Sequence, residues 1–136
     1  MTLTDTNKTI VMSLYRECLN MKNLKNLSAY ISDEYVAVNG VKGVPGFTST
    51  IDAIFAAFPD VQWNIEELIG EGEKVYIRWN FQGTHTGTFQ QISATGKKVS
   101  NTGMAVYTLK KGKVTGTYVF TDRLSFLQQL GVLPAQ

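Results

Sequence analysis

The feature that most limits the fold is a change of hydrophobic period at Pro59-Asp60. Before it, apolar residues recur every three or four positions; after it, they alternate. The first spacing fills one face of a helix and the second one face of a strand. A chain that passes from a helical half to a run of strands is an α+β domain.

The helical half reads as three segments. Ile10, Val11, Leu14, Tyr15, Cys18 and Leu19 predict a first helix, with Thr4 or Asp5 as its N-cap. Leu24, Leu27, Tyr30 and Ile31 predict a short second one capped by Asn23. Tyr35 to Val38 reads as a brief strand, and Gly40, Gly43 and Pro45 make residues 39–46 a loop. Phe47, Ile51, Ile54, Phe55 and Phe58 give a third helix one broad apolar face, ended by Pro59-Asp60.

In the second half Val61, Trp63 and Ile65 alternate with Gln62, Asn64 and Glu66 up to a turn at Gly70-Glu71-Gly72. Val75, Ile77, Trp79 and Phe81 share one face of the next strand. Residues 98–109 and 113–121 pair around a Lys111-Gly112 hairpin turn, and the Lys110 to Lys113 cluster is its solvated tip. Leu124, Leu127 and Leu130 predict a closing helix, with Gly131 at C′ and Pro134 just beyond. Strands over 74–84, 98–109 and 113–121 are long against the usual length of about five or six residues. Long twisted strands curl. The expectation is one domain over residues 1–136, a cone-shaped curved antiparallel sheet packed on three N-terminal helices around a pocket.

Composition then removes whole classes of function. Thirteen Lys and Arg against 11 Asp and Glu leave a net charge of +2, too small to point to nucleic acid or a membrane surface. Cys18 is the only cysteine, which excludes an intramolecular disulfide and a cysteine-rich zinc site; on the apolar face of its helix it reads as a buried, unreactive thiol. His85 is the only histidine, so a metal site or a Ser-His-Asp triad would have to use it. Met1-Thr2-Leu3-Thr4-Asp5 shows no signal-peptide pattern, and no apolar run nears the roughly 18 residues of a membrane span. A cytoplasmic protein is the expectation, and the Asn7-Lys8-Thr9 and Asn26-Leu27-Ser28 sequons read as chance.

Five short strings occur in a telling order: Phe58-Pro59-Asp60, Gly83-Thr84-His85-Thr86-Gly87, Thr95-Gly96-Lys97-Lys98-Val99, Asp122-Arg123-Leu124 and Gln128-Gln129-Leu130-Gly131. In order and spacing the chain resembles the SnoaL-like polyketide cyclase (ester cyclase-like) family, from the first helix to Gly131. The resemblance implies the nuclear-transport-factor-2-like, cystatin-like fold. It also implies ring closure by intramolecular aldol chemistry, with neither metal nor cofactor, through an acidic residue near the C-terminal end. That position here is Asp122. Three positions depart from the family pattern: Asn39 stands where members often carry His, and Thr117 and Tyr118 where an acidic residue and a Trp are common.

The residues themselves support two readings of each candidate. Val114, Tyr118, Phe120 and Asp122 share parity, which places the carboxyl at the end of an apolar face, where desolvation raises its pKa toward that of a useful base. Asp122 is equally well placed to cap the helix that follows. Counting by twos from Val75 puts His85 on the apolar face, either polarising a carbonyl or satisfied in the core. Tyr15, Asn39, Phe55, Trp79, Tyr118 and Phe120 are the candidate ligand-binding residues, with ordinary core the alternative for the aromatics.

Two functions follow. One is a cofactor-independent cyclase, or a related lyase or isomerase, acting on a small apolar carbonyl compound through Asp122 and His85. The other is a non-catalytic binding or dimerisation module of the same fold, with an apolar or aromatic metabolite as partner. Convergence of Asp122 and His85 on one pocket would favour the first. A homodimer is expected in either case, with Tyr76, Val106 and Val119 on the outer sheet face.

Overall fold

The computed structural model describes residues 2–133. Helix α1 (Leu3–Ser13) begins two or three residues earlier than Thr4 or Asp5 suggests. Thr2 is the cap: its side chain accepts from the Asp5 backbone N–H, and the Asp5 carboxylate accepts from the Thr2 N–H in return. Asp5 is therefore the partner in a capping box. The helix continues without a break into π-helical turns at Leu14–Asn20, which bury Leu14, Tyr15, Cys18 and Leu19. Burial, with the neighbouring Glu17 carboxylate, pushes the Cys18 thiol up to about 11, so it stays protonated.

The second predicted helix is a 3-10 helix, Leu24–Ala29, and Asn23 makes no side-chain cap bond. Tyr35 to Val38 is not a strand. The segment turns back on itself through a bridge between Val36 and Lys42 and finds no neighbouring strand to pair with. Helix α2 (Gly43–Ala57) starts inside the predicted loop. Pro45 lies in its first turn, where no backbone N–H has an intrahelical partner, so its missing donor costs nothing there.

Four strands form one curved antiparallel sheet in the order β1-β2-β3-β4. These are β1 (Gln62–Glu71), β2 (Lys74–Thr84), β3 (Lys98–Lys110) and β4 (Lys113–Thr121). In β2 and β3 the alternation is unbroken, with Val75, Ile77, Trp79 and Phe81 inward on one strand and Val99, Asn101, Gly103, Ala105 and Tyr107 on the other. The outer strands differ. β1 shifts register between Ile65 and Glu67, and β4 shifts opposite Thr108/Leu109, where Thr115 is the extra residue. Each bulge exchanges the two faces from that point on.

Helix α3 (Arg123–Leu130) closes the chain, with Gly131 left-handed at φ 78° as its C-cap. Pro134 lies outside the described residues. The core fills the space between the inward sheet face and the helices, with Leu14, Leu27, Phe58, Ile77 and Leu109 among its fully buried side chains. No helix among the described residues is long and apolar enough to cross a membrane.

Candidate functional site

The inward alternation of β2 and β3 sets the floor of the site. Trp79 faces Gly103 directly across the two strands. A Cβ on Gly103 would stand 2.2 Å from the indole, so only glycine lets the ring lie against β3. Above this floor, between the α1 extension, α2, β4 and α3, is a cavity of about 360 Å³. Leu19, Phe47, Ile51, Ile54, Phe58, Trp63, Phe81, Phe89 and Phe126 make its walls largely apolar. Size and lining suit a flat, small organic ligand.

Polar groups enter this cavity at few points. Trp79 Nε1 donates to Tyr15 Oη at 3.1 Å, and Tyr15 Oη lies 2.8 Å from Tyr107 Oη. Three donor hydrogens thus share two hydrogen bonds, and whichever tyrosine donates to the other, one phenolic proton is left over. Both phenols are held in the neutral form. Burial pushes Tyr15 up to about 12 against the opposing hydrogen bonds from Tyr107 and Trp79, and burial followed by the proximity of Tyr15 pushes Tyr107 well above its ordinary value. Tyr35 lies nearby, its hydroxyl 3.5 Å from Thr117 Oγ1.

Asn101 is 6% exposed and lines the same cavity from β3, and among the described residues no hydrogen bond occupies its carboxamide. At the mouth stand Thr117, Val119 and Thr121 of β4, then Arg123 and Gln90, joined by a 2.6 Å hydrogen bond from Arg123 Nη1 to Gln90 Oε1. No Asp, Glu, His, Lys or Cys lines the cavity among the described residues. Nor do any three His, Cys, Asp or Glu among them cluster as metal donors.

Of the expected site residues, Tyr15 and Trp79 line the cavity and the others do not. The extra Thr115 turns Thr117, Val119 and Thr121 inward, opposite Tyr107, Ala105 and Gly103. Tyr118 and Phe120 consequently point outward, 65% and 57% exposed, with their rings 5.0 Å apart. Val119, expected outside, instead reaches the cavity. Asp122 follows the outward phase. Its Oδ1 accepts from the Ser125 backbone N–H at 3.0 Å, capping α3, and its carboxyl is exposed rather than set among apolar neighbours.

His85 is fully buried one ring back from the cavity, stacked on Phe58 at 5.3 Å. Its Nδ1 accepts from the Thr95 backbone N–H, which assigns the ring proton of the neutral form to Nε2, an atom with no hydrogen-bond partner. Asp122 and His85 therefore do not meet. Asn39 holds a surface turn, accepting from the Val41 N–H and donating to Ser49 Oγ. Phe55 packs edge-on against Trp63, outside the cavity.

The strings that marked the family turn out to hold the corner of the scaffold. Asp60 accepts from both the backbone N–H and the hydroxyl of Thr84, at 2.7 Å each. These bonds hold its carboxyl below the usual range. Gln129 clamps α3 to β3 by bonding both N–H and C=O of Ser100.

The polar lining residues Tyr107, Asn101, Gln90 and Arg123 were not singled out in the sequence. Strand parity alone reaches Asn101 and Tyr107, two and four positions from the inward Val99 and Gly103. Nothing comparable marks Gln90.

Comparison with known proteins agrees with this architecture. The family model described as SnoaL-like polyketide cyclase matches residues 9–130. A protein of Jannaschia sp. CCS1, provisionally described as a SnoaL-like polyketide cyclase, superposes with a TM-score of 0.87 at 20% identity, covering 98% of this chain and 97% of that one. A provisionally assigned polyketide cyclase of Acidithiobacillus ferrooxidans gives 0.82 at 27% identity, covering 98% and 100%. TsrD from Streptomyces laurentii gives 0.86 at 21% identity, covering 95% and 97%. No curated protein matches.

Proposed function

The chain belongs to the SnoaL-like polyketide cyclase family, and from that premise we propose that it binds a flat, largely apolar carbonyl compound in its cavity and polarises the carbonyl by hydrogen bonding. One observation carries this reading: among the described residues the cavity offers a spare phenolic proton and the free carboxamide of Asn101, but no carboxylate or imidazole. Donors in an apolar, enclosed site draw charge onto a carbonyl oxygen. Enolate formation also needs a proton acceptor, and the neutral Tyr15 and Tyr107 phenols are donors at ordinary pH. The reading is therefore that of a binding protein.

The test compares 2-acetylnaphthalene with 2-ethylnaphthalene, which keeps the shape and lacks the oxygen. Quenching of Trp63 and Trp79 reports entry. The ketone should bind several-fold tighter, and the Tyr15→Phe/Tyr107→Phe variant should lose that preference. Equal affinities in the unaltered protein would remove the proposal.

A second reading keeps the cyclase activity with Asp122 as acid/base, without metal or cofactor. It is supported by position: Thr121 and Arg123, on either side of Asp122, both line the cavity. Asp122→Asn separates the roles, because Asn caps a helix about as well as Asp but is not a base. Turnover of a true substrate lost in Asp122→Asn, with an unchanged melting temperature, would favour the enzyme.

Self-association is proposed through the outer sheet face, where Tyr118 and Phe120 pair across from Val106 and Met104.

A further inference from the structure

Arg123 is the only cationic side chain lining the cavity among the described residues, and none of their carboxylates lies within ion-pair distance of it. The one ion pair among those residues joins Arg78 to Glu66 on the sheet. Arg123 is held instead by a neutral group, the Gln90 carboxamide. That group is itself presented by a tight turn. Phe89 and Ile92 exchange backbone hydrogen bonds of 2.9 and 2.8 Å, and the two residues between them, Gln90 and Gln91, both have positive φ, 47° and 68°. Such a conformation costs a non-glycine residue roughly 1–2 kcal/mol. Phe89, packed between Phe58 and Phe126 at 5.6 and 5.9 Å, anchors the turn from below. A strained turn, braced by aromatic packing, thus fixes an uncompensated guanidinium at the mouth of an apolar cavity.

We propose that this is an anion-docking subsite, and that the ligand is a planar aromatic keto acid whose carboxylate pairs with Arg123. The guanidinium fork matches a carboxylate, and it already keeps one N–H on Gln90 while its others remain for the ligand. Asn101, on the inward face two residues from Gly103 and at the α3 end of β3, adds an unengaged amide at the same end. The phenol pair lies toward the other end. From the level of Gly103 to Tyr107 is four residues along β3, on the order of 13 Å. A two-ring ligand with an acid at one end and a ketone at the other matches that layout. The inference rests on the ligand-pocket reading above and adds the charge of the ligand to it.

The probe is 6-acetyl-2-naphthoate, compared with its methyl ester, which has the same rings and ketone but no charge. Tryptophan quenching follows both titrations. The acid should bind at least about tenfold tighter than the ester, and its affinity should fall with added salt while that of the ester does not. Arg123→Gln should bring the acid-to-ester ratio close to one. A ratio near one in the unaltered protein, or a ratio that survives Arg123→Gln, overturns the subsite while ester binding leaves the pocket reading intact. Binding of neither compound overturns both. The salt dependence of the unaltered protein keeps the test valid even if the variant fails to fold.

Discussion

The two inner strands and the two outer strands of this sheet obey different rules. In β2 and β3 every second residue faces the core over the whole length of the pairing. In β1 and β4 a single extra residue, Glu66 or Thr115, reverses the faces midway. An inner strand is bonded on both sides, so an insertion would break two ladders. An outer strand breaks only one and gains a bend that curves the sheet. The consequence reaches the site: the inner strands bring Trp79, Asn101 and Tyr107 to the cavity, whereas the bulge in β4 turns Tyr118, Phe120 and Asp122 away from it.

Inserting one residue after Gly116 attacks that difference most directly. The insertion would put Tyr118, Phe120 and Asp122 in the inward phase and send Thr117, Val119 and Thr121 out. Turning two large rings and a carboxyl into the space that two threonines and a valine now line should cost about 3 kcal/mol or more, read by denaturant unfolding. An insertion that leaves stability unchanged would mean that the register of β4 is not what sets the faces.

The next largest effect belongs to the phenol pair that joins the inner strand β3 to the α1 extension. Tyr15 ionises near 12 when folded and near 10 when unfolded, so the stability it contributes is complete below pH 10 and is lost as pH rises toward 12. The slope from this group is roughly 1.4 kcal/mol per pH unit, and Tyr107 adds to it in the same direction. Alkaline unfolding of Tyr15→Phe should be shallower than that of the unaltered protein. Identical curves would contradict the burial of the pair.

A pair of glycines sharpens the comparison further. Gly103→Ala on β3 drives a methyl into the Trp79 ring and should cost about 2 kcal/mol. Gly116→Ala on β4 meets nothing within 4 Å and should stay within about 0.5 kcal/mol. Thermal melts of both variants check this.

Smaller still is the cap at the end of β4. Asp122→Ala should lose about 1 kcal/mol, and Asp122→Asn only a few tenths. The least effect on the folded monomer comes from Tyr118→Ser/Phe120→Ser, within about 1 kcal/mol because both rings are exposed. On light scattering, the self-association proposed above predicts a dimer for the unaltered protein and a monomer for that variant.

Much of this was legible in the sequence. The change of period at Pro59-Asp60 and the parity of β2 gave the α+β class and the inward Trp79. The helix around Leu14 and the left-handed Gly131 followed from spacing and residue type. The phase of β4 was not legible, because a bulge at Thr115 leaves no mark in a run of Thr and Gly that satisfies either phase. Asp122 inherited that error through its parity with Tyr118 and Phe120. His85 is a different case. Its face was predicted correctly as buried, but burial behind Phe58 and burial in a cavity look alike in a pattern of alternation. The capping box at Thr2 was missed because Thr4 and Asp5 have the same chemistry and only the first turn's geometry selects among them.

The central claim is that this cavity works with phenol and amide donors and without Asp122. The most direct test is the ratio of 2-acetylnaphthalene to 2-ethylnaphthalene affinity, measured by tryptophan quenching in Asp122→Asn and in Tyr15→Phe/Tyr107→Phe side by side. The account predicts that Asp122→Asn keeps the preference for the ketone and that the double tyrosine variant loses it. Loss of the preference in Asp122→Asn, with the tyrosine variant unaffected, would contradict it.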